Sequence, residues 1–173
     1  MIFVTVGTNE ARFDRLLLAV DGLAAGEELI VQHGPSPVRP SGATAVDFLS
    51  FDEMVATMRR ARVVVTHAGV GSVMTSLLAG KRPIVVPRLH RYEEAVDDHQ
   101  LPFGRRLADA GLVVFCEEPD GVAAAVAHGS GALDIELRPS RRLVGDLREY
   151  LSATIGTTPH VAIDPLGDPP GRD

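Results

Sequence analysis

The chain has a single cysteine among its 173 residues, which excludes an internal disulfide framework and any zinc site built on thiolates. That residue, Cys116, closes the apolar run Leu112 to Cys116 and reads as a small buried hydrophobe rather than a nucleophile. No segment approaches the roughly 20 consecutive apolar residues that a helical membrane span needs. The N-terminus enters a strand-like segment almost at once, without a basic leader or cleavage-site pattern. Export is therefore not expected, and the cytoplasm is the expected location. Positive charge is also in short supply. With 17 Lys and Arg against 23 Asp and Glu, the formal net charge is −6, whereas a general nucleic-acid binder presents a basic face. No nucleic-acid partner is expected. Neither internal repeats nor heptads are visible, so solenoid and coiled-coil architectures are set aside.

What remains is ordinary globular composition, 45% hydrophobic and 23% charged, enough to build a core. Apolar runs alternate with segments of helical spacing. Strands are expected at Ile2 to Val6, Leu29 to Val31, Ala43 to Leu49, the run beginning Val63-Val64-Val65, Ile84 to Val86, and Leu112 to Cys116. Helices are expected over Phe13 to Leu23, from a Ser50/Glu53 capping box onward, from about Ser72 to Leu78, and over Leu101 to Ala110, Pro119 to His128 and a stretch beginning at Pro139. Six strands alternating with helices predict an α/β fold, a Rossmann-like doubly wound parallel sheet. Residues 1–153 are read as the domain. Residues 154–173, with four prolines and three glycines, are read as a disordered tail.

The most informative stretch is Val63 to Gln100. A β-branched run passes through Thr66 and His67 into Gly69 and Gly71, and then into an apolar helical segment that Gly80 ends. Strand, glycine turn and helix start together form an anion site, because unpaired N–H groups and the helix dipole converge there. A nucleotide diphosphate is a fitting anion. On the glycine pair alone, a sharp turn or close helix-strand packing is the stronger reading. Likewise His67 can be a core histidine, Ser72 a helix cap, and Asp97-Asp98 a solvated turn. In a doubly wound sheet, however, successive strands end on one edge, so His67 to Ser72 and the polar Asp97-Asp98-His99-Gln100 cluster face one crevice. Gly7-Thr8, directly after the first strand, reaches the same edge.

Val4-Thr5-Val6-Gly7-Thr8, His67-Ala68-Gly69-Val70-Gly71-Ser72, Gly80-Lys81-Arg82-Pro83-Ile84-Val85-Val86-Pro87 and Asp98-His99-Gln100 occur in that order. Together they resemble the C-terminal, donor-binding domain of family 28 GT-B glycosyltransferases, over roughly residues 1–118. The likeness extends to small stand-alone members that are the catalytic subunits of two-chain transferases, in the dolichol pathway and in bacterial exopolysaccharide and capsule synthesis. The resemblance implies one half of a GT-B fold. It also implies that Gly7, Thr8, His67, Gly69, Gly71 and Ser72 hold the diphosphate of a UDP-sugar, and that Asp98, His99 and Gln100 meet the hexose hydroxyls. The base would contact the segment Phe48 to Phe51, with Phe48 and Phe51 as its candidates. Where the family carries a ribose-binding glutamate this chain has Thr75, which can hydrogen-bond a hydroxyl but without charge.

No Asp-x-Asp motif lies near these residues, so no metal is expected, and no cofactor beyond the UDP-sugar substrate. No catalytic base is assignable in this chain. The resemblance implies that a membrane-anchored, acceptor-binding subunit supplies the acceptor site and the base, and holds this chain peripherally at the inner face of the membrane. Two rival classes are weighed. An oxidoreductase domain lacks the Gly-x-Gly-x-x-Gly expected in its first βα unit. A non-catalytic, nucleotide-sugar-binding or regulatory subunit would be marked by Thr75. Arg88 and Arg91, next to the polar cluster, read as solvated loop residues or as a preference for an acidic sugar.

Overall fold

The computed structural model describes residues 1–129; the expected helix from Pro139 and the expected tail lie outside them, as does the boundary at residue 153. Within residues 1–129, strands and helices alternate except at β2 and β3, which no helix separates. The strands are β1 (Ile2–Thr5), β2 (Leu29–Gln32), β3 (Thr44–Val46), β4 (Val63–His67), β5 (Ile84–Val86) and β6 (Val114–Phe115). The helices are α1 (Asp14–Ala19), α2 (Phe51–Arg60), α3 (Val70–Leu78), α4 (Gln100–Asp109) and α5 (Val122–His128). The sheet order is β3-β2-β1-β4-β5-β6, and every pairing is parallel. This is the doubly wound arrangement, whose order reverses between β1 and β4.

The central strands β2, β1, β4 and β5 are largely buried on both faces, as continuous apolar runs in a parallel sheet require. Because side chains alternate across a strand, Val4 in register with Val31 and Val65 packs with Phe13, Leu16, Leu17 and Val20 of the α1 region and with Val122 and Val126 of α5. Phe3, in register with Ile30 and Val64, packs on the opposite face with Met58 and Ala61 and, at its margin, Met54 and Ala79. Helix α2 starts on the expected capping box: the Glu53 N–H donates to Ser50 Oγ (3.3 Å) while the Ser50 N–H donates to the Glu53 carboxylate (2.8 Å). Helix α3 ends in a Schellman motif, with Gly80 at φ +75, its N–H on the Leu77 carbonyl and the Lys81 N–H on the Ser76 carbonyl.

Several expected elements are shorter than the sequence suggests. The edge strand β3 covers Thr44–Val46 instead of Ala43 to Leu49, because its one neighbour, β2, gives way to Gly34 at φ +55 and to Pro35, which has no N–H to donate. Strand β6 is limited to Val114–Phe115 because its partner β5 is bracketed by Pro83 and Pro87. Helix α1 stops at Ala19, and Gly22 at φ +82 leads into a separate 3₁₀ turn, Leu23–Ala25. Pro119–Gly121 is likewise a 3₁₀ turn ahead of α5. Cys116 is half-buried, and burial pushes its thiol pKa up; this disfavours the nucleophilic thiolate. Among the described residues, no helix is long and apolar enough to cross a membrane.

Candidate functional site

Parallel strands bring the ends of β1 and β4 side by side at the point where the strand order reverses, with Thr5 opposite Thr66. Gly7 follows β1, and His67 is the last residue of β4. The His67 ring fills the space between the two loops. A Cβ on Gly7 would lie 2.4 Å from His67 Cε1, and one on Gly69 would lie 2.1 Å from Nε2. Both distances are far inside contact, so both glycines are there to admit the ring. Gly7 has a second reason as well, since its φ of +79 is one that side-chain-bearing residues rarely adopt. Thr66 Oγ1 lies 3.5 Å from His67 Nδ1. Withdrawal from water, reinforced by the nearby Arg88 guanidinium, pushes the His67 pKa down to about 3. At neutral pH the ring is therefore an uncharged imidazole, with one nitrogen to donate and one to accept.

The turn after His67 is tighter than expected. Gly69 is the N-cap, in an extended conformation, and α3 begins at Val70 without a side-chain cap. Ser72 thus occupies the third helical position and does not open the helix, because the chain turns into α3 directly from the end of β4. The first intrahelical bond runs from the Val73 N–H to the Gly69 carbonyl (3.1 Å). The amides of Val70, Gly71 and Ser72 precede it and are left for an external acceptor. Gly71 is exposed, and a Cβ there would meet nothing within 4 Å; its smallness leaves the helix start open. The end of β4 thereby leads straight to a helix dipole and three amides, the arrangement that binds phosphate. Thr75 donates its hydroxyl to the Gly71 carbonyl (2.8 Å), so only its lone pairs remain for a ligand hydroxyl.

Thr8 is exposed beyond Gly7. The Gly7 N–H donates to Thr5 Oγ1 (3.2 Å), and its carbonyl accepts from Gln32 Nε2 (3.0 Å). Gln32 Nε2 also reaches the Asp47 carbonyl (3.1 Å), and Thr5 Oγ1 donates to Gln32 Oε1. This buried pair fixes the floor of the crevice and was not singled out from the sequence. A polar residue at the end of each of two otherwise apolar runs was its signal. Phe48 and Phe51 flank the Ser50 cap at the same sheet edge and are 55% and 69% exposed, open to a flat ligand.

The second polar cluster is divided in its duties. Gln100 is the first residue of α4 and is 6% exposed; its Oε1 accepts from the Arg88 N–H (3.0 Å), leaving its amide nitrogen for a hydroxyl. Asp98 Oδ1 accepts from the His90 N–H (2.8 Å). Asp97 Oδ1 accepts from the His99 N–H (3.0 Å) and also meets the His99 ring. Asp98 and His99 are exposed. Only one of the two arginines is the solvated loop residue expected. Arg91 is exposed and pairs with Glu118, but Arg88 is no solvated loop residue: it is 0% exposed, the largest fully buried side chain among the described residues.

Residues 1–131 match the glycosyltransferase family 28 C-terminal domain. The chain is similar to UDP-N-acetylglucosamine transferase subunit ALG13 of Homo sapiens, with 31% identity over 128 residues, 66% of this chain and 11% of that protein. The Mus musculus counterpart gives 31% over 127 residues, covering 66% and 10%. That of Yarrowia lipolytica gives 38% over 56 residues, covering 32% and 26%. The chain thus spans about a tenth of the mammalian relatives it matches. Among solved structures it resembles CalG4, the calicheamicin glycosyltransferase (TM-score 0.54, 17% identity, 88% of this chain and 43% of that one). It also resembles the glycosyltransferase SnogD from Streptomyces nogalater (0.55, 19%, 87% and 39%). These likenesses are of fold, and they place this sheet as one half of a GT-B architecture.

Two outcomes follow from the His67 wedge. Gly69→Ala should cost about 1–3 kcal/mol of stability by urea unfolding, the usual size of an overpacking penalty, and most of that cost should vanish in a His67→Ala background. Equal costs in both backgrounds would show that the ring is not what excludes the methyl group. The depressed His67 pKa also sets a pH dependence. Between about pH 6.5 and about pH 3 the unfolded chain takes up a proton that the native ring refuses. Stability from this group is therefore fully present above about 6.5 and falls with pH, by roughly 1.4 kcal/mol per unit. Unfolding measured across that range should show a shallower slope in His67→Gln.

Proposed function

Since the chain belongs to the glycosyltransferase family 28 C-terminal domain family, we propose that it is the donor-binding subunit of a UDP-sugar-dependent hexosyltransferase. The observation that carries this reading is the uncapped start of α3 at the sheet's reversal point, where the amides of Val70, Gly71 and Ser72 lie beside a neutral His67. Departure of UDP leaves negative charge on the diphosphate as the sugar's anomeric carbon is taken by an acceptor oxygen. Fixed N–H dipoles stabilise that charge without having to reorganise. A neutral imidazole adds one donor without creating a second titration near pH 7. In this reading no resident metal or cofactor takes part, and the UDP-sugar is a substrate.

In the same proposal, Gly7 and Thr8 close the diphosphate site from the β1 side. Phe48 and Phe51 receive the uracil ring, and Asp98, His99 and the Gln100 amide nitrogen receive the hexose hydroxyls. A separate membrane-anchored chain contributes the acceptor site and the general base, and it keeps this chain at the inner face of the membrane. The relatives named as subunits of a UDP-N-acetylglucosamine transferase support a function shared with a second chain.

Thr75 favours a second reading, a non-catalytic nucleotide-sugar-binding subunit, because its hydroxyl proton is already given to the Gly71 carbonyl. Calorimetric titration with UDP, UDP-sugars and NAD tests the first reading. UDP and UDP-sugars are expected to bind at least about tenfold more tightly than NAD, with His67→Ala weakening them by a similar factor, the scale of one lost hydrogen bond in a desolvated site. Preference for NAD, or indifference to His67→Ala, would overturn it. Thr75→Glu should tighten UDP binding about fivefold or more, because a carboxylate forms the stronger bond to ribose hydroxyls. Sugar transfer by wild-type chain together with an acceptor-binding partner separates the subunit that catalyses from the one that only binds.

A further inference from the structure

Arg88 is buried with its charge on and no carboxylate on its guanidinium. Burial pulls its pKa down to about 10, against the opposing field of Glu94, so it remains a cation at neutral pH. Its hydrogen bonds all go to backbone carbonyls: Nη2 to Val6 (2.8 Å), and Nη1 to Ala11 (2.9 Å), Arg12 (3.0 Å) and Glu94 (3.2 Å). Nε has no partner. The Glu94 carboxylate is turned elsewhere, to Arg15 (2.8 and 3.1 Å) and to the Leu89 N–H (3.1 Å). One face of the guanidinium lies 4.7 Å from the Phe13 ring centroid. A buried cation is costly and persists where its hydrogen bonds fix something.

What these bonds fix is a loop. Val6 stands immediately before Gly7, and Ala11 and Arg12 stand immediately after Glu10, so a single guanidinium holds both ends of Gly7-Thr8-Asn9-Glu10. The same residue's N–H holds Gln100 Oε1, which ties in the start of α4. We infer that Arg88 is a positioning residue for the diphosphate site: it clasps the Gly7–Glu10 loop in the shape that seats the His67 ring, and places a buried positive charge beneath the crevice. The inference rests on the donor-binding reading given above. Its charge is felt at His67, whose protonation it opposes. The arginine fork is specific to this task, because its planar donors reach carbonyls on two sides at once, whereas a lysine ammonium is a compact point charge on a flexible stem.

The test compares wild type with Arg88→Lys and Arg88→Met by three readouts: amide exchange at Thr8, Asn9 and Glu10, the His67 titration followed by NMR, and UDP titration. Arg88→Lys should raise loop exchange rates at least tenfold relative to the strands and weaken UDP by tenfold or more. Arg88→Met should in addition move the His67 midpoint upward. Unchanged loop exchange and an unmoved His67 midpoint would overturn the inference, whatever UDP does. A wild-type chain that ignores UDP while its variants show the loop and His67 changes would leave the clasp standing and remove the donor-binding reading. If neither variant folds, the wild-type guanidinium decides: Nη–H signals slow to exchange and hindered in rotation support the clasp, and freely rotating ones refute it.

Discussion

The site depends on one close approach, that of an uncharged imidazole to two backbone positions without side chains. His67 sits where β1 and β4 end together, and its ring occupies the volume that a Cβ on Gly7 or Gly69 would take. Each loop is shaped against the other through that ring. The β1 loop must turn through a positive φ at Gly7, and the β4 loop must turn straight into α3. Because Gly69 supplies an extended cap with no side chain, the first amides of α3 meet the crevice without a competing acceptor from the protein. A residue with a capping side chain there would satisfy an amide that the proposed chemistry uses.

Around this wedge the protein places polar groups that face inward and are satisfied by backbone. Gln32 and Thr5 hold the Gly7 carbonyl and amide, Gln100 holds Arg88, and Arg88 holds the carbonyls around the Gly7–Glu10 loop. These bonds lie in surroundings from which water is withdrawn, where a made bond counts for more and an unmade one costs more. On the side of β1 and β4 the crevice is therefore held by buried hydrogen bonds. Toward the solvent side it presents exposed groups, Phe48, Phe51, Asp98 and His99, which have room for a ligand or a second chain.

The fold was legible in the sequence because a parallel sheet buried on both faces leaves unbroken apolar runs, and because helix ends here carry their signals openly, in Ser50 with Glu53 and in Gly80. Edge strands were overextended, since the length of β3 and β6 is set by where the neighbouring strand meets Gly34, Pro35, Pro83 and Pro87, not by their own residues. At the site, the convergence of His67, Gly7 and Gly69 followed from strand order. The reason for the glycines did not, because a ring filling the space between two loops is visible only in three dimensions. Arg88 was misread for the same cause. In a sequence it stands among His90, Arg91 and Glu93 as one more loop charge, and its burial comes with carbonyls of the segment between β1 and α1 that lie some 76 to 82 residues away along the chain.

The most direct measurement is a residue-resolved amide spectrum of the full chain titrated with a UDP-sugar. If the uncapped start of α3 and the loop after β1 form the diphosphate site, the largest shifts fall on Val70, Gly71 and Ser72, with Gly7 and Thr8 following. Small changes there, with larger ones at another edge of the sheet or none at all, would contradict the account at its centre.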